Sequence, residues 1–187
     1  MTSLGTSSPH NSGAQPAIHY LNPTPVVVAI VPVRAVNPAS GLLELGLLTV
    51  ERGIEPQVGH LALPGGYLEY EDWRAGLLRE LFEETTVKID DVSCVTLRGA
   101  MSIDNNSKVI LFGSLPPVEH SDLRNFAPHR ECSRIEVIFE PQNLAFPTHT
   151  EMARLFFDSL RIPRAGEELS RLIMPGGCFA NFEAPLT

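Results

Sequence analysis

Glu80, Glu83 and Glu84 crowd one short stretch of this sequence, with Arg79 directly before them and Glu71 one further acid upstream. Glu71 to Thr85 reads as a helix. At about 100° per residue from Trp73, Leu77, Leu81, Thr85, Leu78 and Phe82 fall between roughly 40° and 180°. Glu83, Glu80 and Glu84 fall between roughly 280° and 20°. Three carboxylates therefore share one edge of a helix whose other side is apolar. Like charges three and four positions apart repel, at a few tenths of a kcal/mol per pair. A helix built only for stability would place Lys among them; here Arg79 is the one counter-charge. Such an edge suits a hard divalent cation, which takes oxygen ligands and keeps waters. A metal-bound water is a nucleophile near neutral pH. The same spacing also describes a solvated acidic face. What separates the two readings is Gly65-Gly66 ahead of the helix, where the backbone can turn tightly and present its polar groups to a ligand.

The elements that must position these groups alternate in period. Val26 to Val33 is a continuous β-branched run and predicts one buried strand. Leu42 to Glu51 predicts a second strand after the turn Asn37 to Gly41. Val92 to Ile103 and Lys108 to Leu115 predict a hairpin around Asp104 to Ser107. Arg134 to Glu140 alternates as a strand. Thr148 to Leu160 carries Met152, Leu155, Phe156 and Leu160 at helical spacing, with Thr148 or Thr150 as N-cap. Strands around a few helices, without regular βαβ alternation, indicate an α/β (α+β) domain with a mixed sheet between helices.

The compact unit spans about 24–160. Residues 1–23 are rich in Ser, Gly, Pro, Asn and Thr and read as a flexible leader. Residues 161–187 read as a tail with a turn or two of helix around Glu167 to Ile173. Its Leu169, Leu172, Ile173, Met174 and Phe179 are apolar enough to dock on a sheet edge or on a second copy, which keeps a homodimer among the expectations.

At 187 residues the chain holds one domain with some surplus, and 43% apolar with 19% charged residues is a globular composition. No apolar run is long enough to span a bilayer, so no membrane partner is expected. The net charge of −8 and the lack of a basic cluster disfavour a nucleic-acid duplex. A divalent metal would let an acidic protein handle a phosphate substrate. Cys94, Cys132 and Cys178 are odd in number and widely spaced, which predicts free thiols in a reducing compartment. The first basic residue is Arg34, so neither a secretory nor a mitochondrial leader is read, and a cytoplasmic location follows.

The stretch from Gly65 to Val87 resembles the Nudix box, G-x5-E-x7-R-E-U-x-E-E-x-G-U with U aliphatic. Glu71, Arg79, Glu80, Leu81, Glu83, Glu84 and Val87 all land on its positions. The approach from Arg52 to Gly66 is similar to that of many Nudix members, and Asn143 to His149 to the exit of one subgroup. There are two departures. The family's final Gly is Thr86, and Glu69-Tyr70-Glu71 is one residue shorter than the usual Glu-x-Gly-Glu, which leaves open whether Gly65 or Gly66 faces a metal.

The resemblance implies an α/β/α sandwich with a mixed sheet and a Mg2+ (or Mn2+) cofactor. It implies Glu80 and Glu84 as primary metal ligands and Glu83 as a further ligand or the base that activates water. Arg79 would orient the carboxylates, with Glu71 holding it, and a Gly65 or Gly66 carbonyl would complete the shell. A later-loop Glu is often recruited; Glu131 is the candidate, with Glu119 and Glu136 as rivals. Substrate-side candidates are Arg52, whose fork matches phosphate oxygens, Tyr67, able to stack on a base, and Gly66. His60 and His149 border the expected cleft.

The activity implied is hydrolysis of the diphosphate in a nucleoside diphosphate linked to another group. Ile54-Glu55-Pro56 with Leu144-Ala145-Phe146 is similar to NADH and ADP-ribose pyrophosphatases, although their zinc ribbon and SQPWPF signature are absent. The alternative is a non-catalytic Nudix-like sensor of ADP-ribose or a nucleotide. Such regulators tend to lose box carboxylates, and this chain keeps them all. Messenger-RNA decapping is disfavoured by the lack of a basic groove.

Overall fold

The computed structural model describes residues 21–161 and, beyond them, the backbone of 172–173 and 179–180. The β-branched run forms two strands rather than one: β1 (Thr24–Ile30) and β2 (Pro32–Val36). Val31 is the crossing point, and its carbonyl accepts the Leu48 N–H at 3.0 Å. Pro32 has no N–H for a ladder and keeps the residue before it extended, so the chain bends from one sheet into another without leaving the β region.

β3 (Leu43–Arg52) pairs antiparallel with β2 through its first half and with β9 (Cys132–Ile138) through its second. Two short strands join this sheet: β4 (Leu61–Ala62) on the end of β3 and β8 (Val118–Glu119) parallel to β2. The other sheet has the order β5-β1-β7-β6, with β5 at Gly65–Tyr67, β6 at Thr96–Ile103 and β7 at Lys108–Ser114. β1 runs parallel to β7 and antiparallel to β5, so both sheets are mixed. The predicted hairpin joins β6 to β7, and Asp104, Asn105 and Asn106 all take positive φ in its turn. Its first strand is shorter than expected because Val92–Cys94 forms a single 3-10 turn, capped by Asp91.

Two helices cover the sheets. α1 (Trp73–Thr85) starts later than Glu71, because Asp72 takes the N-cap and accepts the Arg74 N–H at 2.9 Å. α2 runs Pro147–Arg161. Neither expected threonine caps it. Pro147, preset for the first helical turn, starts it instead, while Thr150 lies inside and accepts the Leu144 N–H through Oγ1 at 2.9 Å. Both faces of β1 are buried: Val27 and Ala29 pack with Leu77, Leu78 and Leu81 of α1, whereas Val28 and Ile30 pack with Met152, Leu155 and Phe156 of α2. A strand buried on both sides has no polar alternation to show, which is why it reads as a continuous apolar run. The architecture is thus α/β, with mixed sheets between two helices.

The expected leader and most of the tail lie outside the described residues. Of the helix expected around Glu167 to Ile173, residues 172–173 instead form β10 (Leu172–Ile173), paired antiparallel with β11 (Phe179–Ala180) beside β6; the rest is outside them. Cys94 and Cys132 are free thiols, and Cys178 lies outside. Among the described residues no helix is long and apolar enough to cross a membrane.

Candidate active site

Arg79 is the hub of the acidic edge of α1. Its Nε and Nη2 both donate to Glu71 Oε1, at 3.0 and 2.8 Å, and Nη2 also reaches the Tyr67 carbonyl at 3.2 Å. Nη1 donates to Glu80 at 2.9 Å and to Glu83 at 3.1 Å. Because Glu71 stays outside the helix, its side chain can meet Arg79 across the first turns. Glu71 foremost, and then Glu80, raise the Arg79 pKa above its ordinary value.

Glu84 is the buried member, 8% exposed, and its Oε2 accepts the Gly65 N–H at 2.8 Å. Burial pushes its pKa up from 4.5 to about 8; the hydrogen bond from Gly65 opposes this, and the charges of Glu80 and Glu131 add to it. Glu80 is also raised, by burial first, and the Arg79 ion pair does not cancel that cost. Glu83 is more open, its side chain 55% exposed.

The glycine strand explains how close these groups come. Gly66 pairs with Val27 and lies on the α1 side of the sheet, against the Glu80 carboxylate. Gly65, at φ +154°, approaches β1 so tightly that a Cβ would meet the Val27 oxygen at 2.2 Å. The Pro64–Gly65 peptide is fixed at both ends: its C=O accepts the Ala29 N–H at 2.8 Å and its N–H goes to Glu84. Gly65 thus turns its N–H toward a carboxylate.

Glu131 reaches the cluster electrostatically, acting on both Glu80 and Glu84. Gly53 brings it there: its N–H donates to the Glu131 carbonyl at 2.8 Å, and a Cβ at 53 would strike the Arg130 oxygen at 2.2 Å. Its rivals are engaged elsewhere, Glu119 with Arg34 and Glu136 with Arg134. Arg52 lowers the Glu84 pKa by its charge, but its Nε donates to the Pro56 carbonyl at 2.7 Å and its guanidinium sits 5.0 Å over Phe146. Tyr67 contributes its carbonyl to Arg79, while its ring lies near Lys108, 5.7 Å from Nζ. By strand alternation that ring is on the sheet face opposite Gly66 and Glu80. His60 is exposed, near the Val58 carbonyl.

Of three neighbours of Glu84, His129 and Cys132 carried no spacing signal in the sequence, while Thr86 stood out only as a departure from the box. His129 Nε2 lies 3.4 Å from the Glu84 carbonyl. Burial, then the charge of Glu84, pushes the Cys132 thiol up to about 12. Thr86 closes α1 in the left-handed region at φ 62°, where the family pattern has Gly, and its Oγ1 is buried without a hydrogen-bond partner.

The donor set fits a hard divalent cation: the buried Glu84 and the partly buried Glu80, whose charges repel, with Glu131 acting on both. Among the described residues no three His, Cys, Asp or Glu side chains are already gathered in ion-holding geometry.

The family model described as NUDIX domain matches residues 24–159, and the chain belongs to that family. It is by class a Nudix pyrophosphohydrolase. No curated protein matches it in sequence. Among solved structures it is similar to a NUDIX hydrolase from Nitrosomonas europaea, at 22% identity and TM-score 0.56, over 75% of this chain and 73% of that one. It is similar to the NUDIX domain of Shewanella oneidensis NrtR complexed with ADP ribose, at 18% identity and TM-score 0.57, over 74% and 88%. A third is a bifunctional NMN adenylyltransferase/ADP ribose pyrophosphatase complexed with AMP and a Mn ion from Francisella tularensis, at 19% identity and TM-score 0.56, over 75% of this chain and 42% of that one.

Proposed function

We propose that this protein hydrolyses the diphosphate linkage of a nucleoside diphosphate bonded to another group, with ADP-ribose or a dinucleotide as substrate class and Mg2+ or Mn2+ as cofactor. The observation that carries this reading is the seating of two acids on the Gly65–Gly66 strand, Glu84 on the Gly65 N–H and Glu80 against Gly66, with the charge of Glu131 bearing on both. Glu80 and Glu84 would hold the ion, with Glu83 and a Gly65 carbonyl as further donors. When bound, the ion neutralises diphosphate oxygens and supplies a water of lowered pKa.

The remaining work falls to the chain. Glu83 or Glu131 takes the proton of the attacking water. Arg79 offsets the repulsion among the carboxylates and orients them. Arg52 offers positive charge to the phosphates, and Gly66 leaves room for Glu80 beside the strand. The ligands named for the Shewanella and Francisella structures, ADP ribose and AMP, support an adenine nucleotide in this class of fold. The free Cys94 and Cys132 support a reducing, cytoplasmic setting.

A panel of ADP-ribose, dinucleotides, nucleotide sugars and nucleoside triphosphates, each with Mg2+ or Mn2+, tests the proposal. ADP-ribose and one water should yield AMP and ribose 5-phosphate, and EDTA should abolish the release. Tight ADP-ribose binding with no turnover of any substrate would favour the sensor reading instead.

A further inference from the structure

His149 lies on the opposite helix from the acidic edge, yet it is tied to the same loop. It is 6% exposed on α2, edge-on to Phe112 at 6.1 Å and to Phe146 at 5.0 Å. Its Nδ1 is 3.1 Å from the Leu63 nitrogen, and since Leu63 N–H is the donor, Nδ1 must be the unprotonated acceptor. From Leu63 the chain runs through Pro64, which has no N–H, to Gly65, whose N–H holds Glu84.

Each polar group that fastens this segment goes to a different element. The Leu63 N–H goes to α2, the Pro64 carbonyl to β1 and the Gly65 N–H to α1. Just upstream, the Leu61 carbonyl accepts the Ala145 N–H at 2.6 Å, so the lead-in to α2 is stitched along the same strand. Leu63 is itself buried at 2% exposure, and an unpaired N–H there would lack water to replace the imidazole. A turn of the Leu63 peptide toward some other acceptor would carry the Pro64–Gly65 peptide with it and move the N–H that aims the Glu84 carboxylate.

We propose that His149 is a positioning residue for the metal-binding carboxylate Glu84, acting through the Leu63–Gly65 backbone rather than by touching substrate or ion. The inference rests on the metal-dependent reading above. His149→Phe keeps an aromatic ring and removes the acceptor, whereas His149→Asn places an oxygen near the position of Nδ1. Mn2+ binding to the full chain without substrate, followed by electron paramagnetic resonance, should weaken about tenfold or more in His149→Phe and stay within about threefold of wild type in His149→Asn. In metal-free protein the Gly65 amide should exchange faster in the Phe variant only.

Met152→Ala serves as control, since it opens the same core without touching the hydrogen bond and should leave Mn2+ affinity unchanged. Wild-type protein that takes up no Mn2+ would overturn the metal reading. Wild-type uptake with unchanged Mn2+ affinity and Gly65 exchange in folded His149→Phe would overturn the role of His149 alone. If the Phe variant does not fold, a folded His149→Asn that loses Mn2+ binding overturns that role. So does the absence, in wild type, of a nitrogen–nitrogen coupling across the Leu63–His149 hydrogen bond.

Discussion

Glu80 packs its carboxylate onto Gly66 so closely that a Cβ at 66 would stand 2.5 Å from Oε2. The obstacle is the far end of a flexible side chain, so the fold can yield by moving Glu80. Gly66→Ala should therefore leave the melting temperature within a few degrees of wild type. With Glu80 holding the ion as proposed, displacing its carboxylate by an ångström should cost activity on the order of 10²-fold in kcat. Parallel thermal melts and steady-state kinetics check both halves. A variant with wild-type kcat would show that the Glu80 position is not what the missing side chain protects.

Glu80→Gln and Glu84→Gln should each lose at least about two orders of magnitude in kcat while remaining folded, since both are asked to hold the ion. Glu55→Gln, exposed and outside the cluster, should change little. EDTA should silence the wild type, and Mg2+ or Mn2+ should restore it. Near-normal rates in both box variants would refute the ligand assignment.

The raised pKa of Glu84 predicts a pH dependence of definite sign in the metal-free protein. The folded chain keeps a proton on Glu84 up to about pH 8, whereas the unfolded chain releases it near 4.5. Stability from this group is therefore fully present below about 4.5 and is lost as pH rises toward 8, on the order of a few kcal/mol. Glu84→Gln removes that titration. In EDTA the variant should melt at a higher temperature than wild type at pH 8, and the gap should close by pH 5. His149, held down at about 3 by burial, works in the other direction, destabilising the fold as pH falls below 6.5. It is common to both proteins and cancels in the difference. A gap that does not vary with pH would show that Glu84 titrates normally.

Thr86 combines a β-branched residue at φ 62° with a buried hydroxyl that has no partner. Thr86→Gly should relieve the left-handed strain and the orphaned hydroxyl, each worth about 1–2 kcal/mol. The greater freedom of the unfolded glycine chain offsets about 0.4–1 kcal/mol. A net gain of about 1 kcal/mol or more should appear in urea unfolding, with kcat unchanged. Destabilisation would mean that the hydroxyl finds a water-mediated partner in solution.

The acidic helix was legible because its information is local. Glu71, Arg79, Glu80, Glu83 and Glu84 sit at fixed spacings on one segment, and the structure joins Arg79 to three of the four acids as those spacings suggest. The division of Val26 to Val33 was not legible, since a strand buried on both faces shows no period and only Pro32 marks the bend. His149 was legible only as a residue bordering the cleft, because its acceptor role depends on Leu63, far away in sequence. Arg52 was visible as a charge but not as the residue that closes its own loop onto Pro56.

The central strand has a consequence for the order of assembly. Thr24 lies opposite Lys108 in the parallel β1–β7 pair, whereas Val28 lies opposite Gly65 in the nearer β1–β5 pair. On a ribosome, β1 can find β5 well before β7 exists, but its other edge stays open until the residues after Lys108 emerge. The helix bearing His149 arrives later still. The loop that aims Glu84 is thus among the last parts of the domain to be fastened, and nascent chains halted before α2 should bury the acidic helix without acquiring cation affinity.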